Sequence, residues 1–292
     1  MNIISFDIEE WYLEKILHKN TDNYKRFDEL LNTILDILEE KSFQATFFCL
    51  GEMASCFPHV VKLIDSRGHE IGCHSRAHGW LNKMSYKEVE NDTKQAIDSL
   101  EQCIGKKIIS YRAPAFSIGL SNLWVFRILA ENGIERDSSI FPSSRDLGGF
   151  KEFNQITPSI INYQGFNIKE FPIPMKLFMG RRMAYSGGGY FRLLPLSVIR
   201  NELFKSDYSM LYFHLADMDS VWEKFLTKKK FEYYFKEPGF IFSRFSRFLK
   251  TNLGKKKALR KFKKLLDFDS FYSIDQAVSN IDWCTVPIVH YK

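Results

Sequence analysis

The sequence predicts an α/β protein built on a parallel β-sheet. Strand-like and helix-like segments alternate along most of the chain, and no internal repeat or low-complexity tract interrupts them. More than six strand–helix units follow one another, which favours closure of the sheet into a barrel over an open sheet. A length of 292 residues suits one large α/β domain or two small ones.

The elements follow in a regular order. Residues 1–7 are rich in Ile and Phe and predict the first strand, and residues 24–40 carry apolar side chains at helical spacing. Residues 143–165 have weak periodicity and predict a long loop. The other predicted strands are 45–51, 68–74, 106–114, 133–141, 166–173 and 209–214, and the other predicted helices lie near 52–66, 86–103, 121–132 and 196–206.

Composition and charge are those of a globular protein with one unusual segment. No stretch approaches the roughly 20 consecutive apolar residues of a membrane-spanning helix. The N-terminus lacks the pattern of a secretory signal, and the five cysteines form no CxxC pair, so a cytoplasmic location with reduced thiols is expected. The formal net charge is +6, yet residues 224–264 alone hold 15 Lys or Arg and two acids, which leaves the remainder at −7.

The basic segment, residues 224–264, alternates bases with aromatic side chains. This pattern is typical of helices that lie on anionic lipid, and it predicts peripheral membrane contact at the inner face of the membrane. A solvated face that contacts anionic glycan is the alternative. No nucleic-acid-binding motif accompanies the charge, so no nucleic acid is expected as a partner.

Two histidines lie four residues apart in the stretch CHSRAH, His74 and His78. If the chain turns helical after the preceding strand, both rings project from one face, as in other i,i+4 metal pairs. Such a pair alone is equally compatible with two unrelated exposed histidines. Its position after a predicted strand, where βα barrels carry their chemistry, favours metal binding.

The first strand ends in three carboxylates, Asp7, Glu9 and Glu10, in the stretch SFDIEEWY. Strand alternation puts Asp7 and Glu9 on one side and Glu10 on the other. Catalytic zinc has three protein ligands and an open position for water. One carboxylate can therefore complete a set with His74 and His78 while its neighbour accepts a proton. A solvated acidic loop is the alternative.

Two further polar clusters follow predicted strands. Arg112, in SYRAPAF, is suited to pair with a carboxylate and to hold it ionised and oriented. His214 ends the strand in LYFHLADMD, with Asp217 and Asp219 behind it. A histidine beside acids is a candidate general acid, because the acids favour its charged form. A histidine that simply packs in the core is the alternative.

These clusters, in this order, resemble the NodB-type polysaccharide deacetylases, carbohydrate esterase family 4. The resemblance covers roughly residues 3–220. SFDIEEWY is similar to the first family motif, ATFFCLG with GHEIGCHSRAHGWL to the second, YRAPAFS to the third and LYFH to the fifth. The phrases DSSIFP, EFPIP and GGGYFRLLP resemble the branch associated with bacterial exopolysaccharide and surface-glycan clusters.

The resemblance implies a fold and a cofactor. The fold would be a distorted (β/α)7-type barrel over residues 1–222, with a basic helical C-terminal part, residues 223–292, packed on the barrel or completing it. The cofactor would be a divalent metal, most often zinc. The metal ligands would include His74 and His78.

The resemblance also assigns roles in catalysis and substrate binding. Asp7 would be the general base, Arg112 its partner and His214 the general acid. A backbone N–H near Ala115 would help hold the oxyanion. Ala115 and Phe116 would lie beside the substrate. Apart from the resemblance, Tyr190 and Trp11 are candidate aromatic walls for a sugar ring, with core packing as the alternative for Trp11.

The sequence departs from the family pattern in two places. The commoner first motif has two adjacent aspartates, but residue 8 is Ile, so the ligand shifts to Glu9 or Glu10. Strand alternation favours Glu9 and leaves Glu10 as the alternative. The usual fourth motif, Asp-x-x-Asp-Trp, is not recognisable, so the acid that orients His214 is either Asp137 or Asp217.

The expected function is that of a metal-dependent N-deacetylase, acting on an N-acetylated sugar of a surface polysaccharide or of its lipid-linked precursor. One alternative is a hydrolase of another C–N bond, in a formamide or a cyclic ureide. Another is a catalytically inactive carbohydrate-binding homologue. A glycosidase with two carboxylates is disfavoured, because the histidine pair would then have no role.

Overall fold

A ten-stranded β-sheet is the framework of the protein. The computed structural model describes residues 1–10, 21–145, 147–178, 181–235 and 237–291. Its strands are β1 (Asn2–Ile8), β2 (Thr46–Cys49), β3 (Glu70–Cys73), β4 (Ser110–Tyr111), β5 (Arg136–Asp137), β6 (Ser159–Tyr163), β7 (Phe166–Glu170), β8 (Met175–Phe178), β9 (Arg181–Ala184), β10 (Ser209–His214), β11 (Phe271–Tyr272) and β12 (Ile288–Tyr291).

The sheet is largely parallel, which confirms the predicted α/β class. The strand order is β10-β1-β2-β3-β4-β5-β7-β6-β12, with β11 paired beside β1 and with β8 and β9 in a separate hairpin. Every neighbouring pair of the main sheet is parallel except β6 and β7. Among the described strands no ladder joins β12 back to β10, so hydrogen bonding alone does not close a barrel.

Strand β6 lies inside the segment where the sequence predicted a loop, so that prediction was wrong for residues 159–163. The strand forms a hairpin with β7, and Tyr163 pairs with Phe166 across it. The two residues between them, Gln164 and Gly165, have φ values of 50° and 91°. Positive φ at both central positions is the geometry of the tight turn that best matches strand twist.

Helices pack on both faces of the sheet: most contribute to one large apolar cluster, and the last one contributes to a smaller cluster on the opposite face. They are Thr21–Glu40, Gly51–Cys56, Pro58–Ser66, Tyr86–Ile104, Val125–Glu131, Gly188–Leu193, Leu196–Lys205, Leu215–Met218, Lys228–Phe235, Ile241–Asn252, Lys255–Leu265 and Ile274–Ser279. Within the described chain, none of them combines the length and the apolar character needed to cross a bilayer. The C-terminal part, residues 223–292, was predicted to be helical. It also contains two strands, β11 and β12, which join the main sheet.

Strand β1 separates two apolar clusters. Ile4 and Phe6 point into the larger cluster, which is shared with the covering helices. Ile3 belongs to the smaller cluster on the opposite face, together with Phe116 and Tyr212. Alternation along the strand puts Asp7 on the same face as Ile3. The position that carries the first carboxylate therefore faces the smaller cluster.

Candidate metal and catalytic site

The site lies where the parallel strands β1, β3, β4 and β10 end. Asp7 of β1 is in register with His214, the last residue of β10. His74 directly follows β3, and Arg112 directly follows β4 and donates its backbone N–H to the Cys73 carbonyl, 2.9 Å away. Because carboxyl ends of neighbouring parallel strands meet at one edge, these residues come together although up to 207 positions separate them.

Glu9, His74 and His78 form a cluster with the composition of a metal site. One ligand atom of each residue lies within 4.8 Å of the others. Glu9 Oε2 is 2.5 Å from His78 Nε2 and 3.7 Å from His74 Nε2. In the described part of the chain this buried oxygen accepts no hydrogen bond. A buried carboxylate oxygen that lacks a donor and faces two imidazole nitrogens fits a divalent cation such as zinc.

The loop between the two histidines is not helical, so the predicted helical turn was wrong. Residues 74–80 are irregular, and Ser75 and His78 have φ values of 66° and 59°. His74 Nδ1 lies 2.7 Å from the Arg112 carbonyl oxygen and donates to it. This hydrogen bond fixes the tautomer that leaves Nε2 of His74 with a lone pair facing Glu9.

Asp7 and Arg112 form a buried ion pair. Arg112 Nη1 donates to Asp7 Oδ1 at 2.8 Å, and no part of the Arg112 side chain is exposed. Ser138, in the stretch DSSIFP, accepts from Arg112 Nη2 at 2.9 Å and from Nε through its carbonyl at 3.1 Å. Burial acts to raise the pKa of Asp7, but the charges of Arg112, His74 and His214 together outweigh it and lower that pKa below its ordinary value.

His214 lies opposite the pair and is held by Asp217. Asp217 Oδ2 lies 3.2 Å from His214 Nδ1 and accepts the His214 backbone N–H at 2.9 Å. His214 Nε2 is 3.5 Å from Glu9 Oε1. Burial acts to lower the pKa of His214, but the charges of Glu9 and Asp217 raise it to about 10. These acids thus favour the protonated form of the ring, whose Nε2 faces Glu9.

Of the two acids proposed to orient His214, the structure brings only Asp217 to it. Asp137 accepts hydrogen bonds from the backbone N–H and hydroxyl of Ser139 and lies in register with Glu170 of β7. Burial raises the pKa of both Asp137 and Glu170. These two acids form a buried carboxyl pair behind Arg112, apart from His214.

Glu10, the alternative metal ligand, points away from the cluster. Its Oε1 accepts the backbone N–H of Ala216 at 2.9 Å, and its Oε2 accepts that of Glu9 at 3.3 Å. Burial raises the pKa of Glu10 to about 7. The structure therefore groups Glu9, not Glu10, with the two histidines, and Glu10 ties the end of β1 to the turn after His214.

The glycine run Gly187–Gly189 has a role that the sequence did not reveal. A Cβ on Gly187 would lie 2.4 Å from Tyr212 Cζ, and one on Gly188 would lie 1.7 Å from Asp217 Oδ2. The run therefore lets the backbone approach Tyr212 and Asp217 closely. Arg192, four residues after Gly188, places Nε 3.5 Å from Asp217 Oδ1 and adds a second cation beside this acid.

The predicted substrate-contact residues differ in conformation and exposure. Ala115 and Phe116 have φ values of 55° and 53°, an uncommon backbone conformation for residues with a Cβ. The Phe116 ring is buried against Tyr212, with ring centroids 5.1 Å apart. Tyr190 is 39% exposed at the start of the helix Gly188–Leu193. Trp11 lies outside the described residues.

The fold and the site geometry together define an α/β protein with a carboxylate–imidazole centre at the ends of its parallel strands. The polysaccharide deacetylase family model matches residues 16–134, and the model of a domain of unknown function, DUF3473, matches residues 138–279. Residues 16–134 therefore form a domain of the polysaccharide deacetylase type, the NodB-homology group called carbohydrate esterase family 4, which the sequence motifs had indicated.

Curated relatives match part of the chain. A peptidoglycan-N-acetylglucosamine deacetylase from Bacillus cereus is 39% identical over 77 residues, 26% of this chain and 28% of the relative. A chitooligosaccharide deacetylase from Azorhizobium caulinodans is 30% identical over 106 residues, 34% of this chain and 50% of the relative. The matches thus span half or less of the length of these relatives.

Solved structures support the fold along the whole chain. A Mycobacterium smegmatis protein described as a polysaccharide deacetylase aligns with a TM-score of 0.63 at 17% identity, over 100% of this chain and 93% of that one. A Bacillus anthracis pseudoenzyme of carbohydrate esterase family 4 aligns with a TM-score of 0.51 at 13% identity, over 100% and 69%. At these identities the likeness concerns the fold alone.

Proposed function

We propose that this chain is a divalent-metal-dependent N-deacetylase that acts on an N-acetylated sugar of a surface polysaccharide or of its lipid-linked precursor. The observation that carries the proposal is the arrangement around Glu9. Its carboxylate lies between the imidazoles of His74 and His78 on one side and His214 on the other, next to the ion pair of Asp7 and Arg112.

Glu9, His74 and His78 would hold the metal. When bound, a divalent cation supplies Lewis-acid stabilisation of the developing oxyanion and lowers the pKa of water. The hydrogen bond from His74 Nδ1 to the Arg112 carbonyl keeps one ligand oriented, and the burial of Glu9 keeps competing donors away.

Asp7 is the proposed general base. Its lowered pKa keeps it ionised at neutral pH, and one of its oxygens is engaged by Arg112, so the other is left to accept the proton of the attacking water. The Arg112 guanidinium is itself fixed by Ser138 and by the Phe48 ring, 4.2 Å from Cζ. This rigidity orients the base before substrate arrives.

His214 is the proposed general acid. An amine cannot leave as an anion, so the nitrogen of the collapsing tetrahedral intermediate must be protonated. With Nδ1 held by Asp217, Nε2 carries the proton to be donated. The backbone at Ala115 is proposed to donate to the oxyanion, a role worth about 3 kcal/mol per good donor. Acetate and a free amino sugar are the products.

The test is metal content together with acetate release. Purified protein, reconstituted with zinc, is compared with Glu9→Ala and Glu10→Ala by elemental analysis and by acetate release from an N-acetylglucosamine oligomer. Stoichiometric metal is expected in the parent and in Glu10→Ala and is expected to be lost in Glu9→Ala. A parent protein that binds no metal and releases no acetate would contradict the proposal in favour of a binding homologue.

We further place this enzyme in the cytoplasm at the inner face of the membrane. In the basic segment, Phe240, Ile241 and Phe242 are 68%, 67% and 80% exposed, and Phe245 continues the apolar stripe along the helix Ile241–Asn252. Exposed apolar side chains within a strongly basic stretch suit the acyl boundary and the anionic head groups of the cytoplasmic leaflet. A lipid-linked saccharide would be presented at that surface.

Sedimentation with liposomes tests the membrane proposal. Binding is expected with phosphatidylserine-containing vesicles at low salt and is expected to fall sharply in Phe242→Ser. Ile288→Ser, at a residue that is 54% exposed on strand β12, is the matched control and should bind as the parent does. If the parent stays in the supernatant, or if both variants behave alike, this apolar stripe has no role at a membrane.

A further inference from the structure

Arg192 contacts the acid that orients the proposed general acid. Its side chain is buried and belongs to the helix Gly188–Leu193. Arg192 Nε donates to the Gly188 carbonyl at 3.3 Å and lies 3.5 Å from Asp217 Oδ1. The other oxygen of Asp217 faces Nδ1 of His214. Because Arg192 and His214 engage opposite oxygens of one carboxylate, a displacement of Arg192 would also displace the acid that holds His214.

The far end of the Arg192 guanidinium is bound to the end of the helix Ile241–Asn252, which lies in the basic segment. Nη2 donates to the Lys250 carbonyl at 2.7 Å, and Nη1 donates to the Thr251 carbonyl. The last carbonyls of a helix have no partner within it, and a cation opposes their partial negative charge. The planar guanidinium has five N–H donors, so one side chain can reach these carbonyls and the carboxylate at the same time.

That end of the helix is fixed to the rest of the protein by buried polar side chains. Asn252 Oδ1 accepts the Glu223 N–H at 2.7 Å, and Asn252 Nδ2 donates to the Glu223 carbonyl at 3.2 Å. Lys255, also buried, donates to Glu223 Oε1 at 3.0 Å. The start of the same helix carries the exposed side chain of Phe242. One continuous helix thus joins an exposed apolar end to a buried end that contacts Arg192.

We propose that Arg192 is a positioning residue that couples the seating of the helix Ile241–Asn252 to the orientation of His214. The inference rests on the proposed deacetylase function, in which His214 protonates the leaving amine. With the helix end in place, Arg192 holds Asp217, and Asp217 holds Nδ1 of His214, so that Nε2 faces the site. A shift of the helix end releases Arg192 and, with it, the acid. The basic segment thereby controls proton delivery to the leaving group.

The first test compares an amide with an ester. Arg192→Gln is expected to lower kcat for acetate release from an N-acetylglucosamine oligomer about tenfold, with KM and zinc content unchanged. Hydrolysis of 4-nitrophenyl acetate should change by less than about twofold, because its leaving group needs no proton. Lys261→Met is the matched control. Lys261 Nζ donates to the Phe191 and Leu194 carbonyls at the end of the helix that carries Arg192, and its loss should leave both rates unchanged.

A double-mutant cycle tests the coupling to the helix. Asn252→Ala removes the contacts with Glu223 and is expected to cause an amide-selective loss of about threefold. Combined with Arg192→Gln it should add no further loss, since both changes act through one contact. Losses that multiply would show that the helix end does not act through Arg192. Amide and ester losses of equal size in Arg192→Gln, or an equal loss in Lys261→Met, would reduce the role of Arg192 to stability.

A measurement without turnover separates this inference from the proposed function. In zinc-reconstituted protein with ¹⁵N-labelled histidine, the Nδ1–H signal of His214 is assigned by its absence in His214→Asn. Exchange with water should broaden this signal in Arg192→Gln but not in Lys261→Met. A parent protein that shows this pattern and releases no acetate would reject the deacetylase and keep the coupling. Acetate release, with an unchanged signal in Arg192→Gln, would reject the coupling alone.

Discussion

The two halves of the chain contribute different chemistry to the site. The half that ends near residue 134 supplies the buried pair of Asp7 and Arg112 and the cluster around Glu9. The half that begins near residue 138 supplies His214, its partner Asp217 and Arg192 beside that acid. In the proposed mechanism the first half binds metal and removes a proton, whereas the second returns a proton to the leaving group. In that mechanism, the segment of unknown function would contribute the general acid.

The largest expected effect is in the first half. Asp7→Asn should lower N-deacetylation by about a thousandfold or more, because the amide cannot accept a proton. Zinc content should not change, since Asp7 is outside the ligand cluster. Acetate release and elemental analysis check both expectations. The control variant Asp36→Asn, at an exposed helical position, should keep the activity of the parent protein. Near-normal turnover by Asp7→Asn would show that Asp7 is not the general base.

His214→Asn should affect substrates differently according to whether their leaving group needs a proton. Release of acetate from an amide is expected to fall about a hundredfold, because the amine needs a proton. Hydrolysis of 4-nitrophenyl acetate should fall far less, because its phenolate leaves unprotonated, whereas Asp7→Asn should impair both substrates. His59→Asn, at a surface histidine, is the control. If the ester and the amide lose rate equally in His214→Asn, this residue is not the acid.

Gly188→Ala should weaken catalysis by disturbing Asp217 and His214, without affecting the metal-binding residues of the first half. The new Cβ would overlap Asp217 Oδ2, at 1.7 Å, and displace the acid that holds His214. A roughly tenfold loss of turnover with full zinc content is expected. Gly189→Ala is the matched control, because the nearest atom to its Cβ is 3.9 Å away. Similar rates for the two variants would show that the approach to Asp217 is not needed.

The smallest expected effect concerns stability, at the buried acid pair between the halves. Burial raises the pKa of Glu170, so the folded state binds more protons than the unfolded state and loses stability as the pH rises above about 4.5. Glu170→Gln should therefore stabilise the protein at pH 8 by on the order of 1–2 kcal/mol, and by less at pH 5. Urea unfolding at both pH values measures this. Glu90→Gln, on an exposed surface, should show no such difference, and a pH-independent gain in Glu170→Gln would exclude titration as the cause.

Local patterns in the sequence were enough to predict the α/β class and the grouping of carboxylates, histidines and Arg112 at strand ends. Alternation of side chains along β1 also favoured Glu9 over Glu10 as the metal ligand. Contacts made across the sheet left no local signal: Ser138 reaches Arg112 from another strand end, and Asp217 rather than Asp137 approaches His214. Strand β6 was missed because its few residues alternate too briefly to be distinguished from a loop.

The pairing of β1 has a consequence for how the protein is made. This strand is synthesised before all of its partners: its register with β2 requires residues 46–49, and its other neighbours are residues 209–214 and 271–272. At 5–20 residues per second, roughly 10–40 s of translation separate Asp7 from His214. During that time the edge of β1 that will pair with β10 has no partner strand. The acid and the base of the proposed reaction thus meet only when most of the chain has left the ribosome.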